Sequence, residues 1–321
     1  MTTTAREVDV SVIIVNWNTR QLLLECLDSL QKCGTDCRSE IIVVDNGSED
    51  GSVEAVKDRF PGVHVIENGT NLGFAKANNI GIRQASGRYL CLVNSDVKVR
   101  KGCIDALVLY MDANRGIGMA GPRILNPDLS IQDSCRRFPS LWTNLVVSIG
   151  LDKMFPESRV FYGEHMFFFS HEQARDTDYI AGCFMLVRRE TIDQVGLMDE
   201  RFFIYQEEVD WCKRIWECGW KVTFFPGAEA IHHHGASSSR DPLRFELARQ
   251  RSVLMYWEKF HGLLERGVLR CILALGFTLR LSLGCLLSRV LPGRRSEFAE
   301  IITKNKALLS NLFRSRHQIC V

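Results

Sequence analysis

Three near-continuous apolar runs of strand length, each ending in a polar tip, constrain the fold of this chain most strongly. They are Val10–Val15 before Asn16, Ile41–Val44 before Asp45, and Tyr89–Val93 before Asn94-Ser95-Asp96. Segments with helical spacing of apolar residues separate them. Strands that are apolar on both faces and alternate with helices predict a parallel sheet covered on both sides. The polar tips then meet at the carboxyl edge of the sheet, where such folds bind ligands.

The turns after these strands exclude the commonest nucleotide-binding loops. None contains the G-x-G-x-x-G pattern of a dinucleotide fold or the G-x-x-x-x-G-K-[ST] pattern of a P-loop. A nucleotide would therefore be held by Asp45 and by backbone groups. Asp96 is placed to hold a divalent cation against a diphosphate, because hard cations prefer carboxylate oxygens. The alternative for Asp96 is an ordinary turn after a buried strand.

Composition fits a soluble enzyme and gives no reason to expect a nucleic-acid partner. The 321 residues are 46% hydrophobic and 24% charged, and the net charge is +2. The twelve cysteines include no C-x-x-C pair, and Cys91, Cys183 and Cys271 lie in apolar runs. This pattern predicts reduced, mostly buried thiols in a cytosolic protein. Residues 1–9 lack the apolar core of a signal peptide.

A helical pattern from Glu207 to Cys218 begins with acids in its first turn, at Glu207, Glu208 and Asp210. Acids in a first turn interact favourably with the positive end of the helix dipole, which explains them structurally. The alternative is catalytic, with one of the acids taking a proton as a general base. The pattern by itself leaves both explanations open.

Four segments resemble, in the same order, the motifs of the family 2 glycosyltransferases, which have the GT-A fold. They are Val12–Asn18, Val43–Ser48, Asn71–Phe74 and Asn94–Asp96. The match runs through most of residues 10–260, and residues 121–140 resemble the rhamnosyltransferase branch in particular. The resemblance implies an α/β protein with a central, mostly parallel sheet flanked by helices and with a C-terminal helical appendage.

The resemblance also implies roles for individual residues. The nucleotide-sugar pocket would be lined by Asn16, Asp45, Asn71, Asn78, Asn94 and Ser95. A divalent metal, Mn or Mg, would be bound by Asp96 together with His232, or with His234 as the fallback. The first acid of the family's D-x-D motif is Asn94 in this chain, which lowers the negative charge at the site. For a histidine on a loop, the alternative is an ordinary surface residue.

The acid-rich helix start resembles the family's E-D-x-D motif, whose second acid is taken as the base. That position is Glu208 here, so the order of candidates is Glu208, then Asp210, then Glu207. In an inverting transfer the base takes the acceptor hydroxyl's proton as its oxygen attacks the anomeric carbon. A metal would neutralise charge on the leaving diphosphate.

The chain changes character after Gly262. Residues 263–321 are apolar and basic, but Arg270, Arg280 and Arg289 interrupt the apolar stretch. The longest uncharged run, Cys271–Leu279, is too short to span a bilayer. We therefore predict a catalytic domain at 1–262, with a nucleotide-binding half at 10–121 and an acceptor half at 122–262. The tail at 263–321 is predicted to bind an anionic membrane surface, with a helical hairpin packed on the catalytic domain, or a homodimer interface, as the alternative.

These expectations combine into one function. The chain is expected to be an inverting glycosyltransferase that moves rhamnose from dTDP-rhamnose to a lipid-linked saccharide for cell-surface polysaccharide. It would work in the cytoplasm, peripherally on the inner face of the membrane. The alternatives are a UDP-hexose donor on the same fold, or a catalytically silent scaffold that binds a nucleotide sugar. Asn94 and Glu208, which both depart from the family pattern, favour the silent scaffold.

Overall fold

The computed structural model describes residues 8–155, 158–161, 163–164, 171–233 and 241–313. The described residues form two compact units, one within residues 1–138 and 169–240 and the other within 139–168 and 241–321. The second unit thus begins before the predicted boundary at residue 262. The predicted division into a catalytic domain and a tail stays a prediction, because compactness does not show which part folds alone.

The strands belong to the first unit. Their bounds are β1 (Val10–Asn16), β2 (Ser39–Asp45), β3 (His64–Glu67), β4 (Tyr89–Asn94), β5 (Val97–Val99), β6 (Ile117–Leu125), β7 (Cys135–Arg136), β8 (Arg175–Asp176), β9 (Tyr179–Ile180), β10 (Phe184–Arg188) and β11 (Lys221–His232). Within the described ranges, nine strands form one sheet in the order β3-β2-β1-β4-β10-β6-β11-β5, with β8 paired to β11. Strands β7 and β9 form a small separate sheet.

The first four strands of the chain are parallel to one another. Strand β1 lies between β2 and β4, and β3 pairs with the outer side of β2. Residues Val10 to Ile14 are buried one after another, although successive side chains point to opposite faces. Both faces are therefore covered, as the apolar runs predict. The register places Asn16 opposite Asp45 and Val15 opposite Asn94, so the tips are level with one another.

Antiparallel strands complete the sheet. Strand β10 lies between β4 and β6 and is antiparallel to both. The mostly apolar run from Asp178 to Val187 predicts a single strand, but it forms two short strands, β9 and β10, separated at residues 181–183. The run Val222–Pro226 predicts a short strand. The observed strand β11 continues beyond it and ends at His232, which is paired with Val97 of β5. This longer strand places His232, a candidate metal ligand, beside Asp96, which follows β4.

The helices of the first unit flank the sheet. They are α1 (Arg20–Cys33), α2 (Ser52–Arg59), α3 (Phe74–Gln84), α4 (Cys103–Ala113), α7 (Arg189–Val195) and α8 (Glu207–Glu217). The shared core includes Leu23 and Leu27 of α1, Leu107 of α4 and Ile14 of β1. The predicted α/β architecture is thus the one observed.

The second unit is helical. Its helices are α5 (Leu141–Ile149), α6 (Leu151–Met154), α9 (Pro242–Phe260), α10 (Leu263–Val290) and α11 (Arg295–Leu312). Helices α10 and α11 are joined by a short 3-10 turn and share a core of Phe277, Leu308 and Leu312. The tail therefore contains a helical hairpin, and the packing of such a hairpin on the catalytic domain stays a prediction.

Helix α10 differs from the sequence expectation in length. It runs unbroken for 28 residues through Arg270 and Arg280, and by length and composition it could cross a membrane. The short uncharged run considered from the sequence did not predict this continuity. Cys271 is exposed on α10 rather than buried, whereas Cys91 and Cys183 are buried as expected.

Candidate active site

Side-chain hydrogen bonds join the ends of β1 and β2. The Asn16 amide donates to Asp45 Oδ1 at 2.9 Å and to Ser48 Oγ at 3.0 Å. The second carboxylate oxygen of Asp45 accepts the Ser48 backbone N–H at 2.8 Å. Asp45 is 3% exposed, so these bonds hold a buried carboxylate in one orientation. A carboxylate fixed in this way suits the recognition of a ligand hydroxyl or base edge.

Thr19 connects this pair to the third strand tip. Its hydroxyl donates to Asn16 Oδ1 at 2.7 Å and lies 2.7 Å from Ser95 Oγ. Because Thr19 has a single proton and gives it to Asn16, the Ser95 hydroxyl donates to Thr19. Asn16, Thr19, Asp45 and Ser95 thus form one hydrogen-bonded row, called here the polar edge. The prediction that the polar tips meet is confirmed. The sequence favours Thr19 or Asn18 as the N-cap of α1, but Thr19, at the N-cap position, makes no side-chain cap bond.

Asn71 and Asn78, both predicted to line the nucleotide pocket, have structural hydrogen bonds. Asn71 Oδ1 accepts the Gly73 backbone N–H at 3.0 Å, and the Asn78 amide donates to the Phe74 carbonyl at 3.0 Å. Gly73 has φ +85°, and a Cβ there would lie 2.4 Å from the Phe203 carbonyl oxygen, so glycine is required. These contacts fix the segment after β3, and the nucleotide-binding role stays a prediction.

Asp96 and His232, the predicted metal ligands, lie side by side. His232 Nε2 is 3.3 Å from Asp96 Oδ1, and the His233 backbone N–H donates to the Asp96 carbonyl at 3.0 Å. Asp96 is 8% exposed and His232 7%. Two residues before Asp96, Asn94 Oδ1 is a buried acceptor with no hydrogen-bond partner in the described part of the chain.

Gln132 holds the His232 imidazole in place, and no sequence motif pointed to it. Gln132 Oε1 is 2.6 Å from His232 Nδ1, and the Gln132 amide donates to Asn126 Oδ1 and to the His232 carbonyl. Because Oε1 can only accept, Nδ1 carries a proton and Nε2 faces Asp96. Burial lowers the pKa of His232, but the adjacent Cys183 and Asp96 outweigh burial and raise this pKa to about 10.

Asn94, Asp96 and His232 offer ligand atoms that suit a divalent cation. They comprise an amide oxygen without a partner in the described ranges, a carboxylate, and His232 Nε2, which must give up its proton before it can bind a cation. Residues 8–155, 158–161, 163–164, 171–233 and 241–313 contain no group of three or more His, Cys, Asp or Glu residues that could hold a metal. A cation here would therefore need diphosphate oxygens and water to complete its coordination. His234, the fallback, lies outside the described residues.

The start of α8 is strained. Tyr205 and Gln206, which precede it, have φ of 67° and 68°. This left-handed conformation costs free energy for residues other than glycine and persists where the surroundings enforce it, often at functional sites. Gln206 Oε1 and Glu207 Oε2 are buried, and neither has a hydrogen-bond partner within the described ranges. Strain and unsatisfied oxygens thus occur together at the predicted catalytic turn.

The three candidate acids have different environments. Asp210 is fully buried, and its Oδ2 accepts from Arg214 Nε at 2.9 Å. Glu207 is 4% exposed, and burial together with the nearby Glu208 raises its pKa well above the usual range. Glu208 is only half-buried. A base must reach the acceptor, and of these three acids Glu208 is the most accessible.

Glu208 lies against the turn between β9 and β10. A Cβ on Gly182 would be 3.6 Å from Glu208 Cβ, so the stem of Glu208 passes over Gly182. The next residue, Cys183, accepts the Asn94 backbone N–H at 2.9 Å through its carbonyl, and its thiol side chain contacts His232. Residues 182–183 therefore connect the accessible acid to the candidate metal ligands.

Asn79 positions the chain that leads to α8, and the sequence reasoning did not single it out. Asn79 is fully buried on α3, donates to the Met198 carbonyl at 2.8 Å and accepts the Met198 N–H at 3.1 Å. Its amide also donates to Glu200 at 3.1 Å. The available signal was an asparagine on the apolar face of a helix, where an amide needs a partner.

A family model describes most of this architecture. Residues 11–196 match the family described as Glycosyl transferase family 2. The match spans β1 to α7 and includes the polar edge, Asn94, Asp96 and Cys183. Glu208 and His232 lie beyond the matched residues.

Relatives and a solved structure extend the comparison. A Mycobacterium tuberculosis protein named N-acetylglucosaminyl-diphospho-decaprenol L-rhamnosyltransferase is 30% identical over 283 residues, which are 84% of this chain and 90% of the relative. Rhamnosyltransferase WbbL of Escherichia coli K12 is 26% identical over 237 residues, covering 70% of this chain and 84% of the relative. The mannosyltransferase PcManGT of Pyrobaculum calidifontis was solved with GDP-Man and Mn2+. Its match covers 95% of this chain and 86% of the PcManGT chain, with TM-score 0.55 and 16% identity. The predicted GT-A-type fold is confirmed.

Proposed function

The chain belongs to glycosyl transferase family 2, and we propose that this glycosyltransferase moves rhamnose from dTDP-rhamnose to a hydroxyl of a lipid-linked saccharide. Two relatives are named rhamnosyltransferases, and one of those names specifies a diphospho-decaprenol acceptor. Residues 121–140, which resemble the rhamnosyltransferase branch, support the same donor. The product would enter cell-surface polysaccharide, made at the cytoplasmic face of the membrane.

The observation that carries this proposal is the approach of Glu208 to the turn beside Asn94 and His232. We assign Glu208 as the general base. Its carboxylate takes the proton of the acceptor hydroxyl while that oxygen attacks the anomeric carbon, and the bond to the diphosphate oxygen breaks with its electron pair on dTDP. One displacement at the anomeric carbon inverts its configuration. Glu207 and Asp210, both buried, are assigned to holding the turn.

The remaining predicted residues have binding roles in this proposal. Asp45, oriented by Asn16 and Ser48, would bind the nucleoside, with Asn71 and Asn78 shaping the pocket. Asp96 and His232 would hold a Mn or Mg ion together with Asn94. Such an ion supplies Lewis-acid neutralisation of charge on the leaving diphosphate. PcManGT, which shares the fold, was solved with Mn2+ and a nucleotide sugar.

Thermal stabilisation by nucleotides tests the donor. We expect a manganese-dependent rise in Tm with dTDP and dTDP-rhamnose, a smaller rise with UDP, and no rise with either nucleotide in Asp45→Asn. Asp58→Asn, at an exposed acid of α2, is the matched control and should respond as the wild type does. A preference for UDP would replace the donor with a UDP-hexose. No response to any nucleotide, with the wild type folded by circular dichroism, would refute the proposed function.

A silent nucleotide-sugar-binding scaffold requires a separate measurement. Hydrolysis of the nucleotide sugar without acceptor should be slow but detectable, and it should disappear in Asp96→Ala. Binding without any hydrolysis or transfer would favour the scaffold, to which Asn94 and Glu208 point as departures from the family pattern.

A further inference from the structure

One side of α10 is an exposed apolar stripe. Leu264, Val268, Leu275, Leu279, Leu283 and Leu286 lie along it, at steps of three, four or seven residues. Such steps keep side chains on one face of a helix. Leu264 is 81% exposed, and Leu283 and Leu286 are each 55% exposed. At 1.5 Å per residue the stripe is about 33 Å long, and exposed apolar stripes of this size mark interaction surfaces.

The arginines that interrupt the apolar sequence are not on this stripe. Arg270 donates to the Leu312 carbonyl of α11, and Arg280 donates to the Val147 carbonyl of α5 at 2.9 Å. Both side chains are half-exposed and directed toward neighbouring helices of the second unit rather than along the stripe. From Gly267 to Ser288, every exposed residue of α10 is uncharged. We call this side the outer face of α10 and define it by Leu264, Val268, Leu275, Leu279, Leu283 and Leu286. From Gly267 to Ser288 the outer face is thus free of charged side chains, although charged residues interrupt the apolar sequence.

We propose that the outer face of α10 lies on an anionic membrane surface. The charge of the chain supports this occupant. Residues 263–321 contain ten Lys or Arg and three Glu, a net charge of +7, which leaves −5 for residues 1–262. Basic residues beside an apolar helix face are attracted to anionic headgroups, while the apolar side chains enter the acyl boundary. Arg289 and Arg295 lie at the end of the stripe and are exposed.

The same charge disfavours a second copy of the chain. A symmetric dimer through this face would bring two segments of +7 together, and like charges held close repel one another. An anionic surface instead neutralises them.

The packing of α10 also favours lying on the membrane over spanning it. The opposite side of α10 is already occupied, with Gly276 against Ser148 of α5 and Phe277 against Leu308 of α11. A spanning α10 would carry α11, with Glu297, Glu300 and Lys304, into hydrocarbon. Only one side is free to enter a bilayer, as an interfacial helix requires.

The inference rests on the proposed function in one respect: a lipid-linked acceptor lies in a bilayer, which would explain why the protein binds a membrane. The exposure and charge of the outer face of α10 do not depend on the identity of the donor or the acceptor. Membrane binding can therefore be tested without donor or acceptor.

Flotation of the full chain with vesicles tests the proposal. Vesicles of phosphatidylcholine alone are compared with vesicles of equal parts phosphatidylcholine and phosphatidylglycerol. The face variant is Leu275→Glu with Leu283→Glu. The matched control is Leu109→Glu with Leu129→Glu, at exposed positions of the first unit. Both variants change the net charge equally, so a difference between them reports the face itself.

The wild type and the control should bind the anionic vesicles, and more weakly the neutral ones. The face variant should bind about ten-fold more weakly or worse, since each Glu replaces an apolar side chain that enters the boundary. Equal binding of the two variants, or no vesicle binding by the wild type, would overturn the proposal. So would a dimer, by light scattering, that the face variant dissociates without changing vesicle binding. Vesicle binding without sugar transfer would refute the proposed function and leave this surface intact.

Discussion

The polar edge and the first turn of α8 both carry acids of the site, but they satisfy those acids differently. At the polar edge, Asp45 accepts from Asn16 and Ser48, and the row continues through Thr19 to Ser95. At the first turn of α8, Glu207 Oε2 is buried without a hydrogen-bond partner among the described residues. Two left-handed residues precede this turn.

This difference separates two uses of buried polar groups. A fully satisfied network rigidifies the chain and contributes to its stability. Unsatisfied buried oxygens and left-handed residues cost stability and are retained where they serve chemistry. We therefore expect substitutions at the polar edge to lower stability, and substitutions at the first turn of α8 to lower activity or even to raise stability.

Glu208→Gln tests the first turn and has the largest expected effect. Losing the base should lower sugar transfer by about 10²–10⁴-fold, because the amide cannot take the acceptor's proton. The Tm shift with dTDP should be unchanged, since the nucleotide site is separate. Glu217→Gln, at an exposed position of the same helix, should keep full activity. A loss below ten-fold in Glu208→Gln would move the base to Asp210 or Glu207.

Asn16→Ala tests the polar edge. Removing the Asn16 amide leaves Asp45, Ser48 and Thr19 each without one hydrogen-bond partner. The free energy of unfolding should fall by about 3 kcal/mol, because unsatisfied buried groups cost about 1–3 kcal/mol each. Urea unfolding measures this change. Asn114→Ala, at an exposed helix end, should change stability by about 0.5 kcal/mol or less. Equal effects of the two variants would remove the distinction between the edge and the surface.

Gln132→Ala tests whether a satisfied network also serves the metal. Without Gln132 the His232 imidazole loses its orienting partner. Manganese affinity in the presence of dTDP should fall by about 10–100-fold, as for other partners of metal-bound histidines. Calorimetric titration measures it, and Gln132→Glu, which keeps the acceptor oxygen, should restore most of the affinity. Unchanged affinity in Gln132→Ala would place the metal elsewhere.

Glu207→Gln is expected to change stability in the opposite direction from Asn16→Ala. The folded state raises the pKa of Glu207 above its unfolded value. Its stabilising contribution is therefore complete below the unfolded pKa of about 4.3 and is lost as pH rises toward the folded pKa, by about 1.4 kcal/mol per pH unit. Glutamine has no such loss, so the variant should gain stability over the wild type between pH 5 and pH 7.

Urea unfolding of both proteins across that pH range gives the comparison. The exposed Glu217→Gln variant should follow the wild type at every pH. If Glu207→Gln also follows the wild type, the burial of a protonated Glu207 is wrong.

The periodic elements could be predicted from the sequence because their signals are local. Helical patterning from Arg189 to Val195 predicts α7, which is observed with those bounds, and β1 extends the predicted run Val10–Val15 by one residue, Asn16. Buried parallel strands need apolar residues on both faces, so they are visible as runs. Strand β10 is antiparallel in the middle of the sheet, and its neighbours could not be read from local pattern.

The site was only partly predictable for a related reason. Asp96, His232 and Glu208 belong to motifs, whereas Gln132 and Asn79 act through contacts with residues 100 and 119 positions away. The family motif ranked Glu208 first among the three acids, but their accessibility could not be predicted, because it depends on Arg214 and on the packing around α8. Burial, rather than residue type, distinguishes Glu208 from Asp210.

The amino-acid sequence by itself determined the family, the alternation of strands and helices, and the polar tips, because each is written in residues close together in the chain. Only the tertiary structure decided which side of each element is exposed. In α10 the sequence places charged arginines among leucines, and packing turns Arg270 and Arg280 inward to backbone carbonyls while the leucines remain outside. The physical reason is that an arginine can be buried once its donors find acceptors, and those acceptors belong to other helices.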